Sequence, residues 1–380
     1  MSAQQQAWLE LLQAGQTSAT AWQSAFERFG TAAAVRAAAA HELAACGLSD
    51  STLRRLKNPD HARIEAWRDW LARPGHALLT RDDTAWPQHF TAASDAPLAL
   101  WLRGTRRELL DAPQIAIVGS RNATAGGTAN AQRFALALAD SGLTVTSGLA
   151  AGIDAAAHAG ALGTDSGTLA VLGSGIDNVY PRENAALAER IAAAGLIISE
   201  YAPGTPPLRH HFPARNRIIA GLSLGVLVVE AGPQSGSLIT ARLAGERGRE
   251  IFAIPGSIHN PVARGCHRLI REGATLVETA NDILAELAPL LRRALEESPE
   301  DARGSANNGG SPHRDGLQAA AMLAPEYREL LEAIGFDPTQ VGDIVARTTL
   351  TTAEVSSMLL LLELEGHVEA LPGGRYMRTP

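Results

Sequence analysis

The sequence predicts an α/β protein built on a Rossmann-like, doubly wound, mostly parallel sheet, with a small all-α module before it and a winged-helix module after it. Three observations predict this organisation. From about residue 80 to 290, short β-branched apolar runs alternate with alanine-rich helical stretches, as in crossover units. Residues 1 to about 75 carry only short helical patterns. Residues 319–380 combine helical patterns with a final hairpin.

The first module is expected over residues 1–78. Its segments "AWLELLQAG" and "SAFERFG" have apolar residues at helical spacing and stop at glycine. In "GLSDSTLRRLKNP", Ser49 or Asp50 is a suitable helix N-cap, and Pro59 closes the segment. Helical modules of this kind bind DNA, bind proteins or only pack, and the sequence does not decide among these roles.

The central domain is expected over residues 79–290. Its strands are predicted within "QIAIVGS", "LTVTSG", "GTLAVLGSG", "LIISEY", "GVLVVEA" and "EIFAIPG". Nearly every strand ends in glycine, serine or a charged residue. In open α/β sheets, ligands bind outside the carboxyl ends of the strands, so a binding site is expected along that edge.

Residues 291–318 lose all periodicity and fill with Gly, Ser, Asn, Asp and Pro, which predicts a flexible linker. The winged-helix module follows over 319–380, with helices at "EYRELLEAIG", "VGDIVART" and "TTAEVSSMLLLLELEG" and a hairpin turning at Pro372-Gly373-Gly374. Winged helices often bind DNA through the third helix. Here that helix has no basic residue and the wing offers Arg375 and Arg378, so a protein contact or packing is favoured over groove binding.

Composition excludes several classes of function. The formal net charge of -7 argues against a general attraction for polyanions, although a local basic surface is what decides nucleic-acid binding. Cys46 and Cys266 lie far apart without metal-ligand spacing. Neither a signal segment nor an apolar run of ~20 residues is present, so a cytoplasmic protein without membrane contact is expected. Lys57 is the only lysine, so the position of each arginine has to carry any argument about its chemistry.

Loops that follow strands are candidate anion sites. In "IVGSRNATAGG", Gly119 and Ser120 allow a tight turn that aims backbone N–H groups at a ligand, and Arg121 is placed to hold a phosphate with two donors. The loops at Ser147-Gly148 and at Ser235-Gly236-Ser237 repeat the pattern. Neither a G-x-G-x-x-G fingerprint nor a P-loop lysine is present, so NAD and ATP are disfavoured and no cofactor is expected.

Asp154 and His158 lie four residues apart on one helix face, which is compatible with a metal site or an acid–base pair. A structural role is favoured, with Asp154 capping the helix and His158 bonding to nearby backbone. Without a third ligand at suitable spacing, no metal site is predicted.

The segment "FPARNRIIAG" places Arg215, Asn216 and Arg217 after a proline-rich approach that also carries Arg209. A helix start near Pro213 puts both later arginines in the first turn, where a cation opposes the helix dipole at ~0.3–1 kcal/mol. Pairing with Glu230 or another acid explains one of them, but residues two apart point to nearly opposite sides. An external anion is therefore expected for at least one.

These motifs, together with "YPRENAAL", "ISEY", "IPG" and "GCHRLIREGA", closely resemble the DNA-processing protein A family (DprA, also called Smf) over about residues 110–280. The flanking modules resemble its sterile-alpha-motif-like and winged-helix extensions. The resemblance implies a non-catalytic, dimeric protein that binds and protects incoming single-stranded DNA. It also implies loading of the RecA recombinase past single-strand-binding protein. The family's phosphate pocket carries over onto the following residues: Gly119, Ser120, Arg121, Arg215, Arg217, Ser235, Gly236 and Ser237.

Two other functions are weighed against DNA binding. A nucleotide phosphoribohydrolase of the related Rossmann-like class is disfavoured, because Thr240 stands where that class has its catalytic glutamate. A protein-interaction scaffold acting through the winged helix predicts that deleting residues 319–380 abolishes activity. If DNA is the ligand, Phe212 and Tyr180 are the nearest candidates for base stacking.

Overall fold

The computed structural model describes residues 2–15, 19–87, 90, 95–296, 330–331, 333–334, 338–348, 350, 355, 358–359, 362, 367–371 and 375–378. The chain divides into two compact units, Met1–Pro299 and Glu300–Pro380.

Six helices are described at the beginning of the first unit, where the sequence predicts short helices. They are α1 (Ala3–Ala14), α2 (Ala19–Phe29), α3 (Ala32–Ala37), α4 (Ala40–Ala45), α5 (Asp50–Lys57) and α6 (His61–Leu71). Ser49 caps α5, since its side chain accepts from the Thr52 N–H. Their own core centres on Trp8, Trp22 and Phe26.

A nine-stranded sheet organises the rest of this unit. Its strands are β1 (His76–Thr80), β2 (Ala99–Gly104), β3 (Gln114–Val118), β4 (Thr144–Ser147), β5 (Thr168–Leu172), β6 (Leu196–Ser199), β7 (Gly225–Val228), β8 (Glu250–Ala253) and β9 (Thr275–Leu276). The order across the sheet is β1-β2-β6-β5-β4-β3-β7-β8-β9. The strands from β6 to β9 in that order pair parallel, and β1 and β2 add an antiparallel edge.

The chain reverses its direction of travel across the sheet at β3. From β3 it proceeds to β4, β5 and β6 on one side, and then crosses to β7, β8 and β9 on the other. Ile115 of β3 is accordingly paired with Val145 of β4 on one flank and with Gly225 of β7 on the other. The loops that leave β3 and β7 therefore diverge and open a crevice at this switch point, which is where open α/β sheets bind ligands.

Helices cover both faces of the sheet, so the interior strands β3 to β7 are buried throughout. On one face Ile115 and Ile117 pack against α7 (Ala125–Asp140), α8 (Ile153–Ala161) and α13 (Ala280–Glu296). On the other, Ala116 and Val118 pack against α10 (His211–Leu222), α11 (Ser237–Gly245) and α12 (Arg264–Arg271). The alternation of β3 side chains between the two cores confirms the predicted doubly wound sheet.

A third apolar cluster joins the helical module to the sheet near α9 (Ala185–Ala194). The Trp101 ring of β2 lies 5.3 Å from that of Trp67 and 5.7 Å from that of Trp70, between ring centroids. The Trp67 indole N–H donates to the Pro203 carbonyl at 3.1 Å. The helical module and the sheet thus share a core, and the predicted boundary at residue 78 stays a prediction.

The second unit contains helix α14 (Val341–Arg347) and a three-stranded sheet in the order β10-β12-β11. Its strands are β10 (Thr339–Gln340), β11 (Val368–Leu371) and β12 (Arg375–Arg378), with β11 and β12 antiparallel as the predicted wing requires. Val355, Leu359 and Leu362 are buried with Ile344. The polar positions of the predicted third helix and the turn at 372–374 lie outside the described residues.

Two details differ from expectation. The edge strands β1 and β2 and the short β9 were not predicted. Helix α13 continues to Glu296, so the loss of periodicity expected from residue 291 is wrong for 291–296. Leu290 and Leu291 pack partly buried against the sheet's core, which extends the helix, and residues 297–318 lie outside the described part.

Candidate nucleic-acid interface

A groove of about 1010 Å³ lies at the carboxyl ends of β3 and β7. The loop after β3, the start of α10 and the loop after β7 form its walls. Most of the lining residues are polar, charged or glycine: Gly119, Ser120, Arg121, Asn122, Asp154, Tyr180, Arg209, Arg215, Asn216, Gly232, Gln234, Ser235, Gly236, Ser237 and Thr240. The predicted edge of the sheet therefore does carry a cleft.

The loop after β3 is built so that only glycine fits at its first position. A Cβ on Gly119 would lie 2.6 Å from the Ile153 side chain and 2.9 Å from the Glu230 carbonyl oxygen. The Ser120 hydroxyl accepts from the Asn122 N–H at 3.2 Å, which folds the loop back on itself. Arg121 extends from it into solvent, with its guanidinium carbon 5.6 Å from the centroid of the Phe212 ring. Gly119, Ser120 and Arg121 thus lie in the groove as the sequence predicts.

Glu230 fixes this loop from the end of β7. Its two carboxylate oxygens accept from the Thr124 N–H at 2.9 Å and from the Thr124 hydroxyl at 2.6 Å. Thr124 in turn caps α7 by accepting from the Gly127 N–H at 3.0 Å. Glu230 therefore ties the two loops of the switch point together and is not the partner of an arginine. The acid directly after the apolar run "GVLVV" was the signal for this role.

The loop after β7 forms the opposite wall. The hydroxyls of Ser235 and Ser237 are 2.7 Å apart, and the Asn216 side-chain amide donates to the Gly236 carbonyl at 3.3 Å. Ser237 begins α11, so the N-terminus of that helix opens onto the groove. The N–H groups of Ser237, Leu238 and Ile239 donate to oxygens of Ser235 and Gly236 in the loop before it. Asn216, Ser235, Gly236 and Ser237 are therefore placed together as expected.

Arg215 lies beneath the floor of the groove. It is 4% exposed, donates to the Val171 carbonyl, and donates to the Asn216 side-chain oxygen at 3.1 Å. Burial lowers the pKa of its guanidinium to about 10, while the nearby Asp154 carboxylate acts in the opposite direction. Because α10 begins at His211 and not near Pro213, Arg215 lies in the second turn, and the expected conflict with the helix dipole is absent.

Arg217 does not line the groove. Its guanidinium donates to the Glu200 carboxylate at 2.6 Å, with side-chain exposures of 18% for the arginine and 7% for the glutamate. The expectation that the two arginines point to opposite sides of the helix is confirmed. Arg217 has a carboxylate partner inside the protein, whereas Arg215 donates to neutral oxygens, so the expectation that at least one of them needs an external anion stays a prediction.

Ser147 and Gly148 also lie below the groove and not in it. The Ser147 hydroxyl donates to the Ile117 carbonyl at 2.6 Å, and the Gly148 N–H donates to Asp154 at 3.2 Å. A Cβ on Gly148 would overlap the guanidinium of Arg215. These residues form a second layer that carries Arg215, so their expected backbone contact with an anion is wrong.

Asp154 and His158 complete that layer in structural roles. His158 bonds to nearby backbone as favoured above, whereas Asp154 bonds to the loop before the helix instead of capping the helix. Asp154 accepts from the N–H groups of Gly148 at 3.2 Å and Ala150 at 3.4 Å. His158 accepts from the Leu149 N–H at 3.3 Å and bonds to the Thr168 hydroxyl at 2.7 Å. Burial lowers the pKa of His158 to about 3 and raises that of Asp154. Among the residues that the structure describes, no cluster of three His, Cys, Asp or Glu is placed to hold a metal.

Sequence reasoning left Arg209, Asn122 and Gln234 out of the site. All three are exposed and line the groove. The signal for Arg209 was its place at the end of the proline-rich approach, where the chain is extended. Two aromatic rings lie at the mouth of the groove, those of Tyr180 and Phe212. Their centroids are 5.5 Å apart, and Tyr180 is 47% exposed. Arg121 and Arg209 are thus the exposed cations among the described lining residues.

The structure defines a Rossmann-like α/β protein with its groove at the switch point of the sheet. The family model for DNA recombination-mediator protein A matches residues 77–288, and the model for the DprA winged helix domain matches residues 315–374. The chain belongs to the DNA recombination-mediator protein A family, which confirms the resemblance drawn from its motifs. No helix in the described parts of the chain is long and apolar enough to cross a membrane.

Individual relatives agree with this assignment. The chain is 41% identical to Protein Smf of Escherichia coli over 333 residues, covering 87% of this chain and 85% of that protein. It is similar to the X-ray structure of DNA processing protein A from Streptococcus pneumoniae, with TM-score 0.66 and 38% identity over 73% of this chain and 95% of the other. A DNA processing protein A structure from Helicobacter pylori, reported for its unique single-stranded DNA binding mode, gives TM-score 0.51 and 30% identity over 56% and 96% of the two chains.

Proposed function

We propose that this protein binds single-stranded DNA in the groove at the switch point, without catalysis. One observation carries the proposal: two exposed arginines, Arg121 and Arg209, flank a groove whose walls are a glycine-hydroxyl loop and a helix N-terminus. Asp154 is the only carboxylate among the described lining residues, and it is already bonded to two backbone N–H groups. The free donors of the groove therefore suit an anion.

We propose the following division of the contacts with a strand of DNA. Arg121 and Arg209 would hold phosphates, and the Gly236 N–H would donate to a further phosphate oxygen. Phe212 and the exposed Tyr180 offer ring faces for a base, since stacking does not depend on which base is present. The Helicobacter pylori relative, whose structure is reported for single-stranded DNA binding, supports this ligand.

The absence of catalysis rests on the same residues. Thr240, which stands where the phosphoribohydrolase class has its glutamate, is buried at 1% exposure on the wall of the groove. A hydroxyl with an ordinary, high pKa cannot serve as the acid–base group of hydrolysis at neutral pH. Release of free base from nucleoside monophosphates would contradict this part of the proposal.

In the cell, we propose that the protein works in the cytoplasm as a homodimer. It would protect incoming DNA during natural transformation and load the RecA recombinase onto it in the presence of single-strand-binding protein. Membership of a recombination-mediator family supports this role. The test is RecA-dependent strand exchange on DNA already coated with single-strand-binding protein. Stimulation by this protein is expected, and an unchanged rate would contradict the RecA-loading role.

DNA binding is tested by measuring oligonucleotide affinity against salt for the wild type, Arg121→Gln and Arg209→Gln. Each substitution should lower the slope of log affinity against log salt by roughly 0.7, the value for one lost phosphate contact on a single strand. Arg190→Gln is the matched control, because Arg190 is an exposed arginine on α9 outside the groove. Equal slopes for all four proteins would contradict the assignment of the groove.

A further inference from the structure

A second groove of about 450 Å³ lies in the N-terminal helical module. It runs between the end of α3, the start of α4 and one face of α5. Its lining residues are Arg36, Ala38, Ala40, Leu43, Asp50, Leu53, Arg54, Leu56 and Lys57. None of the elements assigned to DNA contributes to it.

The floor of this groove is apolar and its rim is basic. Leu43 and Leu56 are 3% and 5% exposed, and Leu53 is half-buried beside them. Lys57 stands exposed one turn after Leu53 and Arg54, and Arg54 is also exposed. The floor is aliphatic throughout, because no aromatic residue is among those that line the groove.

The rim cations are not neutralised equally. Arg36 donates to the Glu10 carboxylate at 2.5 Å, so its charge is largely satisfied. Arg54 and Lys57, in contrast, have no carboxylate within ion-pair distance among the residues that the structure describes, even though Asp50 lies one turn before Arg54. In a chain of net charge -7, two unpaired cations beside an apolar floor form a local site for an acidic group.

We infer that this groove docks an acidic peptide of a partner protein, with one aliphatic or aromatic side chain anchored on Leu43, Leu53 and Leu56 and its carboxylates on Arg54 and Lys57. Apolar anchoring combined with a charged rim is the usual anatomy of a peptide site. Single-stranded DNA fits less well, since its bases require ring faces for stacking and the floor has none.

The sequence supplies an unusual probe for this inference, because Lys57 is the only lysine of the chain. A zero-length carbodiimide reagent joins a carboxylate to a primary amine that lies against it. With the full-length protein and a fluorescein-labelled peptide of four aspartates followed by leucine and phenylalanine, we expect one cross-link, at Lys57. The variant Lys57→Arg keeps the positive charge but has no primary amine at this position. It should therefore still bind the peptide and no longer form the cross-link.

Fluorescence anisotropy then measures the contributions of rim and floor. Arg54→Gln and Lys57→Gln should each weaken the peptide two- to fivefold, in line with one exposed ion pair. Ala40→Phe fills the groove without removing a buried side chain and should weaken it at least tenfold. Arg28→Gln, an exposed arginine paired with Glu42 outside the groove, should have no effect.

Several results would overturn the inference. Peptide binding that is insensitive to Ala40→Phe, or no binding at millimolar peptide, would remove the site. Equal binding by a peptide with serines in place of leucine and phenylalanine would remove the anchor. If a single-stranded oligonucleotide displaced the peptide, and if Arg54→Gln abolished that displacement, the groove would be assigned to DNA. None of these results depends on the groove at the sheet, whose DNA affinity Ala40→Phe should leave unchanged.

Discussion

Arg121 and Arg217 provide the sharpest test of the structure, because the motifs treat both as phosphate ligands and the fold gives them opposite roles. Arg121 is exposed at the rim of the groove. Arg217 is tied to Glu200 at 2.6 Å on the far side of α10. Replacing each by glutamine removes one charge with a similar change of shape, so the two variants differ only in what surrounds the lost guanidinium.

The expected cost of Arg217→Gln follows from burial. The Glu200 side chain is only 7% exposed, so its carboxylate would be left charged and poorly hydrated. Removing one partner of a fully buried ion pair lowers the free energy of unfolding by about 3–5 kcal/mol. Because the Arg217 side chain is 18% exposed, we expect a somewhat smaller loss of roughly 2–4 kcal/mol. At roughly 2 °C or more per kcal/mol, the melting temperature should fall by about 4 °C or more. Arg121→Gln leaves no buried charge behind and should not change it.

DNA binding should show the reverse pattern. In thermal unfolding and salt-dependent oligonucleotide titrations below the melting temperature, Arg217→Gln should keep the wild-type salt slope, whereas Arg121→Gln should lower it by roughly 0.7. The double variant Glu200→Gln/Arg217→Gln is the control, since removing both charges should restore much of the stability. A stable Arg217→Gln with a reduced salt slope would refute the reasoning and return Arg217 to the groove.

Three further predictions concern buried positions of the fold. Gly148→Ala should destabilise the fold and weaken DNA binding, because its Cβ overlaps the Arg215 guanidinium, whereas Gly236→Ala, with open space around its Cβ, should be tolerated; chemical denaturation of both tests this. The pKa of His158 is lowered to about 3 by burial, so stability is complete above about pH 6.5 and falls as the pH falls towards 3. In urea unfolding, the free energy of unfolding of the wild type should fall between pH 7.5 and pH 5 by about 2 kcal/mol more than that of His158→Gln. Cys266 is buried and its pKa is raised to about 11, so a thiol reagent should label it only after unfolding, and rapid labelling of the native protein would contradict its burial.

Much of the fold was predictable because the spacing of the apolar residues and the amino-acid composition change together along the chain. The interior strands β3 to β8 are short apolar runs followed by glycine or a polar residue, and each is where the pattern places it. The edge strands were not predictable in the same way, since β1 and β2 owe their place to tertiary pairing and to the Trp101 contacts. A strand of two residues such as β9 leaves no periodic signal at all.

The lining of the groove was predictable in its loops, including Arg121, and not in the two arginines of α10. The conformation of a tight turn depends on the few residues within it. The loops at Gly119–Ser120 and Ser235–Ser237 could therefore be predicted from their own sequence. The depth of a helical side chain depends instead on which face of the helix packs on the sheet. Arg215, Ile218, Ile219 and Leu222 share the spacing i, i+3, i+4, i+7, so Arg215 belongs to the buried stripe of α10, and this signal in the sequence was available.

The burial of Arg215 also changes what should drive DNA binding. Its charge faces Asp154 beneath the floor, so the groove presents Arg121 and Arg209 as its exposed cations among the described lining residues. Two phosphate contacts give a salt slope of roughly 1.4, far below that of proteins that neutralise many phosphates. Most of the affinity should then come from backbone N–H groups and ring contacts, which release no counterions. Binding through this groove should therefore persist at salt concentrations that remove ordinary electrostatic DNA binding.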